Sequence, residues 1–334
     1  MIRFTEVMGW AESYHFTKPM RTWSHILRGL PAVVALAVAG CAGVPSPTAS
    51  LTALRARSVE LRQVPFFPQQ EYQCGPAALA MVLGAAGNSA TPEQLAPQVY
   101  LPGREGSLQV EMVATARRYG MVSYPVEGGV EALYSEVAAG TPVVVLQNLF
   151  LPWIPRWHYA VVVGFDTARE EVVLRSGQDQ RLVMSLDAFD RSWEGSGRWG
   201  LVVLPPDRLP APGDAGRYLQ AVVALEQARQ LGAARTAYAT ASGVWPENLV
   251  AWIGLGNTSY ALGDLAQAER AFREATLRQP QYAAAFNNLA HVLAERQRYP
   301  EALDAARTAV RLGGPNAAAA QNTLESILAQ SARQ

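Results

Sequence analysis

The sequence predicts two folded parts, an α+β domain over residues 64–204 and an all-α solenoid over residues 217–331. In the first part, apolar residues at helical spacing give way after about residue 140 to short runs of β-branched residues. In the second part, the composition becomes rich in alanine and the pattern recurs every 34 residues. A length of 334 residues is sufficient for two domains.

Three helices are predicted at the start of the first domain. The segment "CGPAALAMVLGAAG" has Pro76 in its first turn and glycines where the helix should end. The segment "TPEQLAPQVY" has Thr91 as N-cap and Gln94 three residues later, which is the capping-box pattern. The segment "SLQVEMVATARRYG" has apolar residues at helical spacing and ends in glycine.

Strands are predicted in the second half of this domain. The β-branched runs between turn residues are "TPVVVLQNL", "HYAVVVGFD", "EEVVLRSG", "QRLVMSL" and "GRWGLVVLP". Helices followed by a sheet indicate an α+β domain whose two parts pack as lobes. A proline- and glycine-rich segment over residues 205–216, "PPDRLPAPGDAG", is predicted to be a linker.

The C-terminal part alternates large and small residues at a fixed period. Positions spaced by 34 residues carry either an aromatic residue or alanine: Tyr218, Trp252 and Phe286; Ala234, Ala268 and Ala302. This spacing resembles the tetratricopeptide repeat, in which one helix of each pair nests closely against its neighbours. We expect three repeats and a capping helix, the smallest array that buries a continuous core.

The N-terminal residues read as an export signal. We expect translation to start at Met20, followed by a basic stretch and an apolar run too short to span a bilayer. The end of the run, "VAGC", resembles the lipobox of bacterial lipoproteins, which implies a leader over residues 1–40 and a lipidated Cys41 followed by a tether over residues 41–63. Because Ala42 is not aspartate, the resemblance favours an outer-membrane lipoprotein facing the periplasm. The alternative is an ordinary signal peptide with an incidental cysteine.

Cys74 is the second of the two cysteines in the chain. If Cys41 carries lipid, Cys74 has no disulfide partner within the chain, although it lies in an oxidising compartment. It is either a buried core thiol or a nucleophile whose pKa is lowered by a helix N-terminus and an imidazole. His158, at the start of a predicted strand, is the candidate base, since the other histidines lie in the leader or in the third repeat: His15, His25 and His291.

At these residues the chain resembles a known family of enzymes. "QQEYQCGPAALAMVL" followed by "WHYAVVVGFD" is similar to the papain-like cysteine peptidases of the bacteriocin double-glycine leader peptidase family, in particular to stand-alone lipoproteins with C-terminal tetratricopeptide repeats. The resemblance implies a papain-like fold in which Cys74 attacks the scissile carbonyl and His158 activates it. It also implies an oxyanion donor in Gln69, with Gln70 as an alternative, and a second donor in the Cys74 backbone N–H.

The third catalytic position departs from the family pattern. The family has aspartate or asparagine on the strand after the histidine, whereas "EEVVLRSGQDQR" places Ser176 there. A serine hydroxyl can hold His158 but cannot stabilise an imidazolium by charge. Asp179 is the alternative third member, and Asp166 is interpreted as a turn residue.

Several other classes of function are disfavoured by the sequence. Its 28 basic and 28 acidic residues, without a basic cluster, give no indication of a nucleic-acid partner. No phosphate loop, His-Glu metal motif or paired-cysteine zinc pattern occurs, so we expect neither cofactor nor metal. Trp153 and Trp157, beside His158, are interpreted mainly as core residues, with a substrate groove as the alternative.

Two functions are consistent with these observations. The first is an envelope-anchored cysteine peptidase whose repeats recruit a protein substrate or partner. The second is a catalytically degenerate peptidase-fold scaffold that only mediates protein–protein interaction. The unpaired Cys74 with a single available histidine favours the enzyme, and the missing acidic residue favours the scaffold.

Overall fold

The computed structural model describes residues 57–69, 73–104, 106–211 and 213–333. Every described helix and strand belongs to one compact unit, residues 47–334. The predicted leader, the lipidation site at Cys41 and the alternative oxyanion donor Gln70 lie outside the described residues. None of the described helices combines the length and the apolar character needed to cross a bilayer.

Among the described residues, helices and strands are interspersed in the first domain, whereas the second domain contains helices alone. The helices are α1 Cys74–Ala85, α2 Pro92–Val99, α3 Gln109–Arg118, α4 Gly129–Ala138, α5 Leu186–Glu194, α6 Ala215–Gln227, α7 Leu231–Val244, α8 Leu249–Ala261, α9 Leu265–Arg278, α10 Ala283–Glu295, α11 Tyr299–Leu312 and α12 Ala317–Ser331. The strands are β1 Ser58–Glu60, β2 Tyr100–Leu101, β3 Gly106–Ser107, β4 Val122–Val126, β5 Val143–Asn148, β6 Trp157–Asp166, β7 Glu171–Ser176, β8 Asp179–Ser185 and β9 Gly200–Leu204.

The first domain is built on an antiparallel sheet with the order β4-β9-β5-β6-β7-β8, and β1 pairs with the end of β6. The valine-rich strands β5, β6 and β9 are buried almost throughout, because α1 and α4 pack against this sheet. Strands β2 and β3 form a separate small hairpin beside α1. The predicted class, an α+β domain followed by an all-α solenoid, is confirmed, although the strands β1 to β4 and the helices α4 and α5 were not predicted.

Two short sequence patterns, the capping box of α2 and the turn at Asp166, adopt the structures that they predict. In α2, the Gln94 N–H donates to Thr91 Oγ1 and the Thr91 N–H donates to Gln94 Oε1 at 3.0 Å, so the predicted capping box is present. Asp166 accepts from the backbone N–H groups of Ala168 and Arg169 at 2.9 and 3.1 Å, which confirms it as a turn residue.

The tether was predicted to extend to residue 63, but its last part belongs to the sheet. Strand β1 pairs with β6, with Val59 opposite Phe165. Gly164 allows this close approach, since a Cβ there would lie 2.6 Å from the Val59 carbonyl oxygen. Leu61, the residue after β1, is buried. A tether can therefore extend no further than about residue 57.

The second domain consists of the helix pairs α6–α7, α8–α9 and α10–α11, followed by α12, in agreement with the predicted repeats. Small residues make the close packing possible, because a Cβ on Gly256 would lie 2.4 Å from the Phe272 ring. His291, in the third repeat, is half-buried, and its Nε2 lies 2.9 Å from Thr323 Oγ1 of α12. It therefore joins the third repeat to the capping helix.

The first helix of the repeats packs directly on the first domain, against β4. The Arg217 guanidinium lies 5.3 Å from the centre of the Tyr124 ring and forms an ion pair with Glu127 at 3.1 Å. In addition, Gln230 Nε2 donates to the Arg118 carbonyl oxygen at 3.2 Å. The repeats are consequently held against the sheet rather than tethered at a distance.

The predicted linker, residues 205–216, is also tied to both domains. The Ala211 N–H donates to Glu136 Oε1 at 2.9 Å, and the Tyr218 hydroxyl donates to the Pro206 carbonyl oxygen at 3.4 Å. Burial raises the pKa of Glu136 to about 8, so this carboxyl is protonated at neutral pH. A neutral buried acceptor can hold the linker without the cost of a buried charge.

Candidate active site

Cys74 is the first residue of α1, and that helix has neither a side-chain N-cap nor an acidic residue in its first turn. Its thiol is half-buried. Burial raises the pKa of the thiol and outweighs the lowering by hydrogen bonds from the backbone N–H groups of Tyr159, Gly75 and Cys74 itself. The thiol of the free protein is therefore protonated at neutral pH, which is the opposite direction to that expected from a helix N-terminus alone.

His158 lies next to Ser176 on the neighbouring strand. The distance from His158 Nε2 to Ser176 Oγ is 2.9 Å, across the pair β6–β7. Burial, assisted by the positive charge of Arg156, lowers the pKa of His158 to about 4, so the imidazole is neutral at pH 7. Asp179 pairs with Ser176 across the β7–β8 turn and is exposed, and no hydrogen bond is described between Asp179 and His158. The geometry thus brings His158 together with Ser176.

Gln69 is buried and connects the segment before α1 to the strands that carry the other candidate residues. Its Nε2 donates to the Tyr159 carbonyl oxygen at 3.2 Å, and its Oε1 accepts from the Gly177 N–H at 3.1 Å. Its carbonyl oxygen accepts from Gln178 Nε2 at 2.7 Å. Gln69 therefore does not belong to a solvated loop.

Tyr159 is a residue of the site that sequence reasoning did not assign. Its backbone N–H reaches the Cys74 thiol, and its hydroxyl donates to the Ser107 carbonyl oxygen at 3.1 Å. Ser107 in turn packs against Gly75, where a Cβ would lie 2.2 Å from Ser107 Oγ. The signal available in the sequence was the histidine–tyrosine pair that begins "HYAVVVGFD".

The two tryptophans near His158 are not core residues. Trp153 is 74% exposed and Trp157 is 47% exposed, at the tip of the hairpin that joins β5 and β6. Their interpretation as core packing is therefore wrong. Apolar side chains of this size at the surface require an explanation other than core packing.

The fold agrees with the families that the chain matches. Residues 61–200 match the model of the Peptidase_C39 like family, and residues 218–267 and 253–317 match a tetratricopeptide repeat model. The first part is thus a peptidase-fold domain, and the second is a protein-interaction repeat. More particularly, residues 61–200 are similar to the Peptidase_C39 like family, and a segment similar to tetratricopeptide repeats follows them.

Solved structures resemble each part of the chain separately. A crystal structure of a C39-like peptidase from Bacillus anthracis is 20% identical, covers 45% of this chain and 98% of its own, and has a TM-score of 0.37. The type III secretion translocator chaperone SycD of Yersinia enterocolitica is 15% identical, covers 34% of this chain and 83% of its own, and has a TM-score of 0.33. No curated protein matches this chain. The assignment of the two domains rests on the family matches.

We expect alkylation of Cys74 by iodoacetamide to show a midpoint above the ordinary pKa of a cysteine thiol. The reason is that burial stabilises the protonated form, and a neutral His158 supplies no charge to oppose it. For the same reason His158→Ala should leave the midpoint nearly unchanged. The measurement is the alkylation rate against pH. A midpoint below pH 8 that rises in His158→Ala would show a thiolate–imidazolium pair in the free protein and contradict this prediction.

Proposed function

We propose that this protein is a cysteine peptidase in which Cys74 is the nucleophile and His158 is its base. The observation that carries the proposal is the 2.9 Å contact between His158 Nε2 and Ser176 Oγ. It occurs in a domain that matches a peptidase family and in which Cys74 is the first residue of a helix. Because Ser176 engages Nε2, the remaining ring nitrogen, Nδ1, would accept the proton of the Cys74 thiol. Ser176 is thereby the positioning residue of the pair, in preference to Asp179.

The mechanism starts from a neutral thiol and a neutral imidazole. As Cys74 Sγ attacks the peptide carbonyl, its proton passes to His158, and the imidazolium then protonates the leaving amine. Water next attacks the thioester with His158 again as base, which releases the acid and restores the thiol. The Cys74 backbone N–H and the second Nε2 hydrogen of Gln69 would donate to the oxyanion. Since Ser176 carries no charge, we expect slower turnover than with an acidic residue at this position.

The repeats would recruit the protein whose peptide bond is cut. Tetratricopeptide repeats are interaction modules, and α6 is fixed to β4 through Arg217 and Tyr124. A polypeptide bound to the repeats would therefore be held at a fixed position relative to Cys74, which raises its effective concentration at the site. A peptide or protein substrate and a protein partner are accordingly proposed.

We also propose that the chain is anchored in the bacterial outer membrane and faces the periplasm. The support is the sequence "VAGC", which ends the apolar run and would present Cys41 for lipidation, and the small-residue stretch that follows it. A single lipidated N-terminus would hold the peptidase-like domain close to the inner face of that membrane.

The proposal is tested with residues 47–334 and a peptide library made from periplasmic proteins, with new termini identified by mass spectrometry. Cys74→Ala should abolish cleavage, and His158→Ala should lower kcat/KM by a factor of about 10² to 10⁴. Below about pH 4, where His158 becomes protonated, kcat/KM of the wild type should fall. Ser176→Ala should be impaired more than Asp179→Ala. Cleavage by Cys74→Ala at the wild-type rate would refute the proposed role of Cys74 as nucleophile. A larger loss of kcat/KM in Asp179→Ala than in Ser176→Ala would refute the role of Ser176.

A second candidate function is a scaffold with an inactive peptidase fold. The observations that favour it are the uncharged Ser176 at the third position and the raised pKa of the Cys74 thiol. In that case wild-type protein would cleave no peptide in the library. A partner captured by the repeats would then bind Cys74→Ala as tightly as the wild type.

A further inference from the structure

The hairpin that joins β5 and β6 carries a concentration of exposed apolar side chains, which we name the apolar tip, residues 149–157. Every residue in this stretch is exposed. The large apolar side chains and their exposed fractions are Leu149 49%, Phe150 59%, Leu151 40%, Trp153 74%, Ile154 57% and Trp157 47%. Elsewhere in the described residues, large exposed apolar residues occur singly along the chain. The clustering marks the tip as an interaction surface.

The backbone of the apolar tip is hydrogen-bonded within the hairpin. The Leu149 N–H donates to the Arg156 carbonyl oxygen at 2.9 Å, and the Ile154 N–H donates to that of Leu151 at 3.0 Å. Asn148 Oδ1 accepts from the N–H groups of Phe150 and Arg156 at 3.1 and 2.9 Å. A hairpin with these polar groups already paired can enter an apolar medium at a lower desolvation cost.

The side chains of the apolar tip are exposed on both faces of the hairpin, which favours a lipid layer over a bound peptide. Successive side chains of a strand point to opposite faces, so Trp157 and His158 project from opposite faces of β6. Consecutive residues on the other arm, from Leu149 to Leu151, are likewise all exposed. A bound peptide would cover one face of the hairpin, whereas a lipid layer surrounds both faces.

The charge of the tip is suited to a lipid surface. Between residues 149 and 157 there is no carboxylate, and the one charged side chain is that of Arg156. A cation at this position is complementary to anionic headgroups. Trp153 and Trp157 are the residue type that is enriched where a polar headgroup layer meets hydrocarbon.

We propose that the apolar tip inserts into the surface of a lipid bilayer that contains anionic lipid. Because β6 runs directly from Trp157 to His158, insertion of the tip places the candidate active site at the membrane surface. The tip would then be a second membrane contact, separate from any lipid at Cys41. This inference does not depend on peptidase activity, since it concerns binding alone.

The test measures co-sedimentation of residues 47–334, the compact unit that holds every described helix and strand, with lipid vesicles. One set contains equal parts of phosphatidylcholine and phosphatidylglycerol, and the other contains phosphatidylcholine alone. The double variant Phe150→Ser/Trp153→Ser should lower the partition coefficient about tenfold or more. The matched control Val110→Ser/Leu277→Ser, at positions 63% and 70% exposed, should bind as the wild type does.

Arg156→Gln provides a second, electrostatic readout. We expect it to weaken binding to the phosphatidylglycerol vesicles and to leave binding to phosphatidylcholine alone unchanged. Failure of the wild type to sediment with either vesicle, or equal binding by the Phe150→Ser/Trp153→Ser variant, would overturn the proposal. If that variant binds vesicles normally but cleaves library peptides more slowly, the tip binds substrate and the lipid proposal is wrong. Loss of vesicle binding with cleavage retained supports it.

Discussion

Gly75→Ala is expected to lower the free energy of unfolding by about 2 to 3 kcal/mol, which is the upper part of the range found when a packed core is overfilled. The alanine Cβ would lie 2.2 Å from Ser107 Oγ and 2.5 Å from Ser107 Cβ. Since Ser107 Cβ is fixed to the backbone of β3, only a movement of β3 or of the start of α1 can relieve the clash. Denaturant unfolding followed by circular dichroism measures the loss.

The same movement should slow the proposed peptide cleavage about a hundredfold, because Cys74, the proposed nucleophile, is the neighbour of Gly75 and small displacements of a nucleophile are costly. Ser107→Gly in the Gly75→Ala background should restore most of both losses by removing the clashing atoms. The matched control is Gly232→Ala in α7, where, apart from the adjacent residues and the nearby backbone of α7 itself, no described atom lies within 4 Å of the added Cβ. It should be neutral or stabilise by up to about 1 kcal/mol. Equal destabilisation by the two glycine substitutions would contradict the steric explanation.

Glu269→Gln is expected to lower the free energy of unfolding by roughly 2 kcal/mol, through loss of a buried charge that joins two repeats. Glu269, on α9, pairs with Arg273 at 2.7 Å, with Arg298 at 2.6 Å and with Arg296. Its side chain is 7% exposed, whereas the arginine side chains are 33 to 42% exposed. Water can therefore reach the arginines in the variant, so the loss is smaller than for a fully buried pair. Thermal and urea unfolding measure it.

The effect of Glu269 should depend on pH with a definite sign. Burial raises the pKa of this carboxyl, but the hydrogen bonds from Arg273 and Arg298 lower it by a larger amount. The pKa of Glu269 therefore lies below its ordinary value. Its contribution is thus complete above the ordinary pKa of glutamate and disappears as the pH falls through the lowered value. The difference between wild type and Glu269→Gln should shrink in acid.

Glu274→Gln is the matched control for this pair of measurements. Glu274 lies on the same helix, is 39% exposed and contacts a single arginine, Arg278, at 3.4 Å among the described ion pairs. An exposed pair of this kind contributes about 0.5 kcal/mol or less. If Glu274→Gln lowered the free energy of unfolding as much as Glu269→Gln does, burial of the carboxylate would not be the cause of the effect.

Much of the candidate site could be predicted from the sequence because its signals are local or ordered along the chain. The cysteine at a helix start, the histidine at a strand start and Ser176 on the next strand follow from the segment patterns and their order. The contact of His158 with Ser176 follows in turn from pairing consecutive strands. The role of Tyr159 did not follow, because a backbone N–H that reaches a thiol 85 residues away in the chain leaves no trace in residue type.

The sequence by itself determined the two domains, the 34-residue repeats and the capping box of α2, and it supplied Cys74 and His158 as candidates, since these depend on periodicity and residue type over short distances. Only the tertiary structure decided the direction of the Cys74 pKa, the exposure of Trp153 and the docking of the repeats on β4. The physical reason is that burial depends on which distant segments cover a residue. Two tryptophans beside a strand have the same sequence pattern whether a helix covers them or nothing does.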